Sequence, residues 1–287
     1  MQGGEAPDSG LTRARRRLSD QETEQRMLRS AMAMVHENGL TVSLDHISFE
    51  DVIRVAGVSR SAVYRRWPHK ESFFRELVKE LARGDTPDIG AMNPAATDAV
   101  RRTILDHLDW LRTPDGRVSL IGEILRNGAR DEFGTFLGSP QWRTYIALHA
   151  TFLSLPAGDF REEVRGALGQ SQRRLIDGVA TFHAAVMDIV GVRLRPETGA
   201  TYTTLAELGT ALMRGLVVMA ASTPHIGTDR VDAAPFGARR TAEWSNPGLG
   251  LAALATSLLE ADPEVTFDEE HLAHTRKRLA VGTGPFW

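Results

Sequence analysis

The four residues Ala56-Gly57-Val58-Ser59 constrain this chain more than any others. They stand between two segments, FEDVIRVA (49–56) and RSAVYRRW (60–67), each too short to persist as an isolated helix. Gly57 can take the left-handed backbone that ends one helix. Val58 offers an aliphatic side chain for burial, and the Ser59 hydroxyl can cap the helix that follows. Ser48 stands at the equivalent capping position before the first segment. Two short helices joined by so tight a corner read as a helix-turn-helix.

Helical spacing sorts the second segment into two faces. Val63 and Trp67, four apart, turn inward together with Val52, Val55 and Val58. Arg60, Ser61, Tyr64 and Arg65 then share the outward face, whose chemistry suits a DNA major groove. Arginine can bond guanine bidentately, serine several acceptors, and tyrosine a phosphate or a thymine methyl. Ser59 sits at a helix N-terminus, where hydroxyl and free amides can hold a phosphate, and Lys70 opens the next helix as a second anchor. The alternative is a basic helix end that only faces solvent. A nucleophile turn is excluded, because GVSRS lacks the second glycine of G-x-S-x-G and follows no strand.

Charge is distributed to match. The net charge of the 287 residues is −3. Residues 11–84 nevertheless hold 14 Lys+Arg against 10 Asp+Glu, while the chain from Asp85 onward is net acidic. A basic module on an acidic body is the asymmetry of a nucleic-acid-binding head fused to something else. The arm Thr12–Arg17, TRARRR, could lie in a minor groove or stay solvated. With no cysteine, disulfides, thiolate nucleophiles and cysteine-ligated zinc are excluded. No run approaches ~18 consecutive apolar residues, and the first twenty residues lack the apolar core of a secretory signal. The expectation is a cytoplasmic protein with no membrane partner.

Glycine and proline punctuate a mostly helical text. Ser19 and Glu22 have capping-box spacing before a helix that closes at Gly39. A fourth helix runs from Lys70 to about Arg83, and GDTPDIGAMNP reads as a linker. Further helices are expected at 94–112, 117–133, 140–154, 159–190, 196–222 and 246–261. Residues 223–245 are too long and broken for a turn and suggest a mobile loop or a lid. LTVSL (40–44) is the nearest approach to a strand. The expected fold class is all-α, with an arm (1–18), a three-helix head (19–84) and a larger helical bundle (85–287).

The stretch ISFEDVIRVAGVSRSAVYRRWPHKESFFRELV resembles the DNA-binding domain of the TetR family of bacterial transcriptional regulators. Ser48, Val52, Ala56, Gly57, Val58, Ser59, Val63, Tyr64, Trp67, Lys70 and Glu71 stand where that family's pattern asks for them or a near equivalent. Ile53, Ser61 and Arg66 replace the family's alanine, glycine and histidine, so the sequence it reads does not carry over. The resemblance covers about residues 20–83. It implies phosphate contacts by Ser48, Ser59, Tyr64 and Lys70, and base contacts by Arg60, Ser61 and Arg65; Arg66 could do either.

The resemblance further implies a C-terminal bundle that dimerises and binds a small molecule. For the dimer, Leu205, Leu208 and Leu212 in one segment and Leu251, Leu254 and Leu258 in another form candidate stripes, with the monomer core as the alternative. For a ligand, the candidates are the polar or aromatic residues of apolar helices: Trp110, Trp142, Tyr145, His149, Phe182, His183, Met187, Tyr202 and Met213. Their chemistry suits something hydrophobic or aromatic. His271 and His274 are three apart but lack a third metal ligand, GLGLAA (248–253) follows no strand, and Glu162–Glu163 sit among arginines. No metal, cofactor or catalytic residue is expected. The reading is a homodimeric DNA-binding regulator, a repressor released from a palindromic operator by a ligand. Its rivals are a ligand-independent regulator under a protein partner and an enzyme with a co-opted helical head.

Overall fold

The computed structural model describes residues 18–38, 47–84 and 93–281. The basic arm Thr12–Arg17, the LTVSL run, most of the GDTPDIGAMNP linker and the terminal GTGPFW lie outside the described residues. Helices dominate what is described, and the few strands are three or four residues long.

Capping fixes the first helices. α1 (Asp20–Asn38) opens on a reciprocal box in which the Ser19 amide donates to Glu22 Oε2 at 2.8 Å and the Glu22 amide to Ser19 Oγ at 3.1 Å. α2 (Phe49–Ala56) begins with the Asp51 amide donating to Ser48 Oγ and ends at Gly57, whose φ of 63° is the left-handed turn glycine permits. α3 (Arg60–Arg66) begins with the Ala62 amide donating to Ser59 Oγ, and α4 (Lys70–Arg83) follows directly. Val52, Val63 and Trp67 are buried as the pattern predicts, and Val58 packs beside them. Val55 is not buried: it is 55% exposed. Phe49, Val52, Ile53 and Ala56 already complete the buried face of α2, and Val55 falls about 60° outside it.

The core of the head is continuous with four residues of the body. Met27, Ala31, Val35, Phe73 and Leu77 join Leu148 of α7 (Pro140–Ser154) and Val164, Ala167 and Leu168 of α8 (Asp159–Val190) in one apolar cluster. Lys79 pairs with Glu163 at 2.9 Å, Arg174 donates to the Arg83 carbonyl at 3.0 Å, and Arg75 lies over the Phe160 ring at 4.6 Å.

The body is built on α5 (Pro94–Asp106), α6 (Pro114–Gly138), α8, α9 (Tyr202–Ser222), α11 (Asn246–Leu258) and α12 (Glu269–Val281). The helix expected over 94–112 stops at Asp106 and continues as a 3-10 turn, Leu108–Arg112. The one expected over 196–222 starts only at Tyr202, after a strand β1 (Val192–Leu194) that pairs antiparallel with β4 (Leu259–Ala261). Buried Arg117 locks that pair by donating to the carbonyls of Gly191 and Asp262 at 2.9 and 3.0 Å. Residues 223–245 are not an irregular loop. They form the short α10 (His225–Thr228) and an antiparallel hairpin of β2 (Arg230–Ala233) and β3 (Ala242–Ser245). Trp244 anchors the hairpin in the core at 2% exposure, and Ser119 Oγ donates to the Gly237 carbonyl at 2.7 Å. Arg240 reaches Glu123 at 3.1 Å, a carboxylate held below its usual range first by its hydrogen bond to Arg126.

Because head and body share one cluster, truncation within it is felt by both. Leu77→Ala is expected to destabilise the protein by about 2–5 kcal/mol, measured as a lower urea midpoint, while Val55→Ala on the exposed face stays within about 0.5 kcal/mol.

Candidate nucleic-acid interface and buried cavity

The Gly57 corner projects α3 with one face open. Ser48, Ser59, Arg60, Ser61, Tyr64, Arg65 and Lys70 are all exposed, and Arg66 is half-buried. The basic groups are not idle. Glu50 holds two of the face's side chains: its Oε1 accepts the Tyr64 hydroxyl at 3.0 Å, and its Oε2 pairs with Arg60 Nη2 at 2.8 Å. The Glu50 hydrogen bond also raises the Tyr64 phenol above its ordinary value. Arg65 pairs with Asp20. These are solvent-exposed pairs, worth at most ~1 kcal/mol and screened by salt, so they orient the arginines without fastening them.

Arg66 differs. Its Nε donates to Glu24 and its Nη2 to Glu76, both at 2.9 Å, and its guanidinium lies 5.0 Å from the Trp67 ring. Glu76 also accepts the Trp67 indole N–H at 2.5 Å. Arg66 therefore ties α1, α3 and α4 together. Of the eight residues proposed from sequence, seven share the open face or its edges, and Arg66 is turned toward the head's own carboxylates.

In the body, α6, α8, α9 and α11 surround a cavity of about 160 Å³. Trp142, Phe182, His183, Met187 and Met213 line it, as the sequence suggests. Trp110, Tyr145, His149 and Tyr202 do not. Trp110 sits on the 3-10 turn beneath Arg239, 5.2 Å from its ring. The Tyr145 hydroxyl donates to Gln172 at 2.8 Å and accepts from Arg214 at 3.1 Å, so its polar end is already satisfied. His149 Nδ1 lies 2.9 Å from the Tyr145 carbonyl. Tyr202 is the first residue of α9, half-buried against the cluster that includes Val186, Val190 and Leu205.

Sequence reasoning missed the group that dominates the cavity's polarity. Glu132 lines it and has no hydrogen-bond or ion-pair partner among the described residues. It keeps some accessible surface yet lies deep among apolar atoms, as expected of a side chain whose open side is a cavity and not bulk water. Burial pushes its carboxyl up to about 7. Burial also pushes His183 down to about 4, and its Nδ1 has no partner. Glu132 falls in DEFGTF, where a charged neighbour, Asp131, makes it look like one of a solvated pair.

The six candidate interface leucines divide. Leu208 is 45% exposed, whereas Leu205 is buried and Leu212 presses on Gly250. Leu251, Leu254 and Leu258 are half-buried, packed against the core clusters where α11 lies on α6 and α9. The open side of α9 carries Leu208, Ala211, Gly215, Val218 and Met219 instead. α9 is long and apolar enough to cross a membrane by composition, with mean hydropathy 1.4 and only 28% of that window buried. His271, considered for a metal, places Nδ1 2.9 Å from the Thr266 carbonyl and stacks on Phe267.

No family model and no curated protein matches the chain. Among solved structures it is similar to the reduced form of E. coli NemR, at 14% identity and a TM-score of 0.43, covering 85% of this chain and 100% of that one.

Glu132 and His183 have opposite linkage to pH. A carboxyl raised from 4.5 to about 7 removes stability as pH rises across that interval, because only the folded state keeps the proton. An imidazole lowered from 6.5 to about 4 removes stability as pH falls across its interval. The two slopes offset one another in the native chain. Urea melts of Glu132→Gln should show stability rising from about pH 4 to 6.5, and those of His183→Phe should show it falling from about pH 4.5 to 7, each by up to ~1.4 kcal/mol per pH unit. Parallel, flat profiles in both variants would contradict the burial of these groups.

Proposed function

We propose that this chain is a sequence-specific DNA-binding transcription regulator of the TetR type, with a head that reads an operator and a body that binds a small molecule. The observation that carries the reading is the open face of α3. A glycine corner, a serine cap and a buried valine and tryptophan leave Ser59, Arg60, Ser61, Tyr64 and Arg65 outward together. Ser59 at the helix start and Tyr64 one turn on suit phosphates, and the two arginines suit guanine edges. Arg66 belongs to the support of that face.

The regulator acts as a homodimer on a palindromic site. Half-sites about one helical turn apart need two heads at fixed spacing, and the exposed apolar side of α9 is the surface that would pair two copies across a two-fold axis. The ligand, by occupying the cavity, lowers operator affinity to the extent that it favours one head spacing over another, which makes the chain a ligand-released repressor.

The test is a titration of the protein against DNA flanking its own coding region, with unrelated DNA as control, at two salt concentrations. Preference by ~10³-fold or more at physiological salt is expected. Arg60→Ala and Arg65→Ala should each cost ~1–3 kcal/mol and relax preference at one base position. Lys70→Ala should weaken all DNA alike and reduce the salt slope by about one. Operator binding untouched by both arginine variants would sink the assignment of the reading face.

A further inference from the structure

We propose that the cavity between α6, α8, α9 and α11 takes a small aromatic or alicyclic amine, its ring among the apolar side chains and its amino group on the Glu132 carboxyl. The inference rests on reading the cavity as the effector site of a regulator, and it adds the chemical class of the effector.

Size comes first. About 160 Å³ is close to the volume of an engineered apolar cavity that holds benzene, roughly 150 Å³, so one ring with a short substituent fits. Ile121, Ile124, Leu125, Phe182, Met187 and Met213 supply apolar contact on several sides.

Polarity then selects among one-ring molecules. Among the described residues no lysine or arginine lines the cavity. Arg214 does not line the cavity; its Nη atoms donate to Gln172 at 2.8 Å and to the Tyr145 hydroxyl at 3.1 Å, and only its Nε is left without a partner among the described residues. His183 is held neutral by burial. An anionic ligand would meet a carboxyl with no counter-charge, which costs rather than gains. A plain hydrocarbon would fill the space but leave Glu132 without a partner. An amine satisfies it: the ammonium donates charge-assisted hydrogen bonds to the carboxylate inside a low-dielectric pocket. Burial sets that carboxyl near 7, so an arriving cation readily draws it into the ionised form.

An unpartnered buried carboxyl is also a standing cost to the empty protein. Sites that lower stability in this way are where function is found when nothing structural needs the group, and Glu132 holds no element in place.

The experiment uses the full chain without DNA and three probes of matched shape: benzylamine, ethylbenzene and benzoate, followed by calorimetry and thermal shift. Benzylamine is expected to bind at least about tenfold more tightly than ethylbenzene, benzoate not at all, and ethylbenzene should compete with benzylamine for one site. Glu132→Gln is expected to erase the amine's advantage while keeping ethylbenzene binding, and its empty form should melt no lower than the native chain, which shows that it folds. Benzylamine binding no tighter than ethylbenzene, benzoate binding best, or an amine preference retained in Glu132→Gln would each overturn the proposal. Displacement from the operator is read separately. Amine bound through Glu132 with no change in DNA affinity supports the ligand class and removes the effector role. Operator binding intact with no amine bound removes the ligand class alone.

Discussion

The apolar seam between α4 and the α7–α8 pair is the contact on which the rest of the molecule depends. Small helical units bury a limited fraction of their surface, and here Phe73 and Leu77 of the head share one apolar cluster with Leu148, Val164 and Leu168 of the body. The head's orientation is therefore a property of the body's packing. Lys79–Glu163 and the Arg174 bond to the Arg83 carbonyl fix the register of that seam, but its strength lies in the buried side chains, since exposed ion pairs contribute little.

From the seam, α8 runs unbroken to the cavity. Val164 and Leu168 belong to the head cluster, and Leu175, Val179, Phe182 and Met187 line the cavity on the same helix. The distance from Leu168 to His183 along the axis is about 22 Å at 1.5 Å per residue. A helix that packs at both ends responds by tilting or sliding as a unit, because packed contacts have few alternative arrangements. On the proposed reading, this is the physical link by which occupancy of the cavity could bias the spacing of two heads.

Much of the fold was legible because its boundaries are written in local chemistry. The Ser19–Glu22 box, the Ser48 and Ser59 caps and Gly57 each act within four residues, and the helices of the head begin and end where they indicate. What was not legible depends on distant partners. β1 finds its mate 67 positions along the chain at Arg193↔Glu260, and three-residue strands carry no alternation to read. The 223–245 segment looked broken because its order comes from Trp244, Ser119 and Glu123, two of them on α6. Val55 and Leu205 show the same limit in miniature: an apolar stripe shows a helix is amphipathic, but which edge of it is covered depends on the neighbour.

The cavity illustrates that limit at the level of function. Trp142, Phe182, His183, Met187 and Met213 were legible as unusual residues in apolar helices, whereas Tyr145 and His149, equally unusual, serve each other and Gln172. Residue type alone cannot separate a satisfied polar group from an unsatisfied one. Glu132 shows the converse. In sequence it is one acid beside another, and only the fold reveals that Asp131 faces outward with Arg130 while Glu132 lines an apolar cavity without a partner among the described residues. The informative property is the partner a buried group lacks, and on the proposed reading that partner is the amino group of a one-ring ligand.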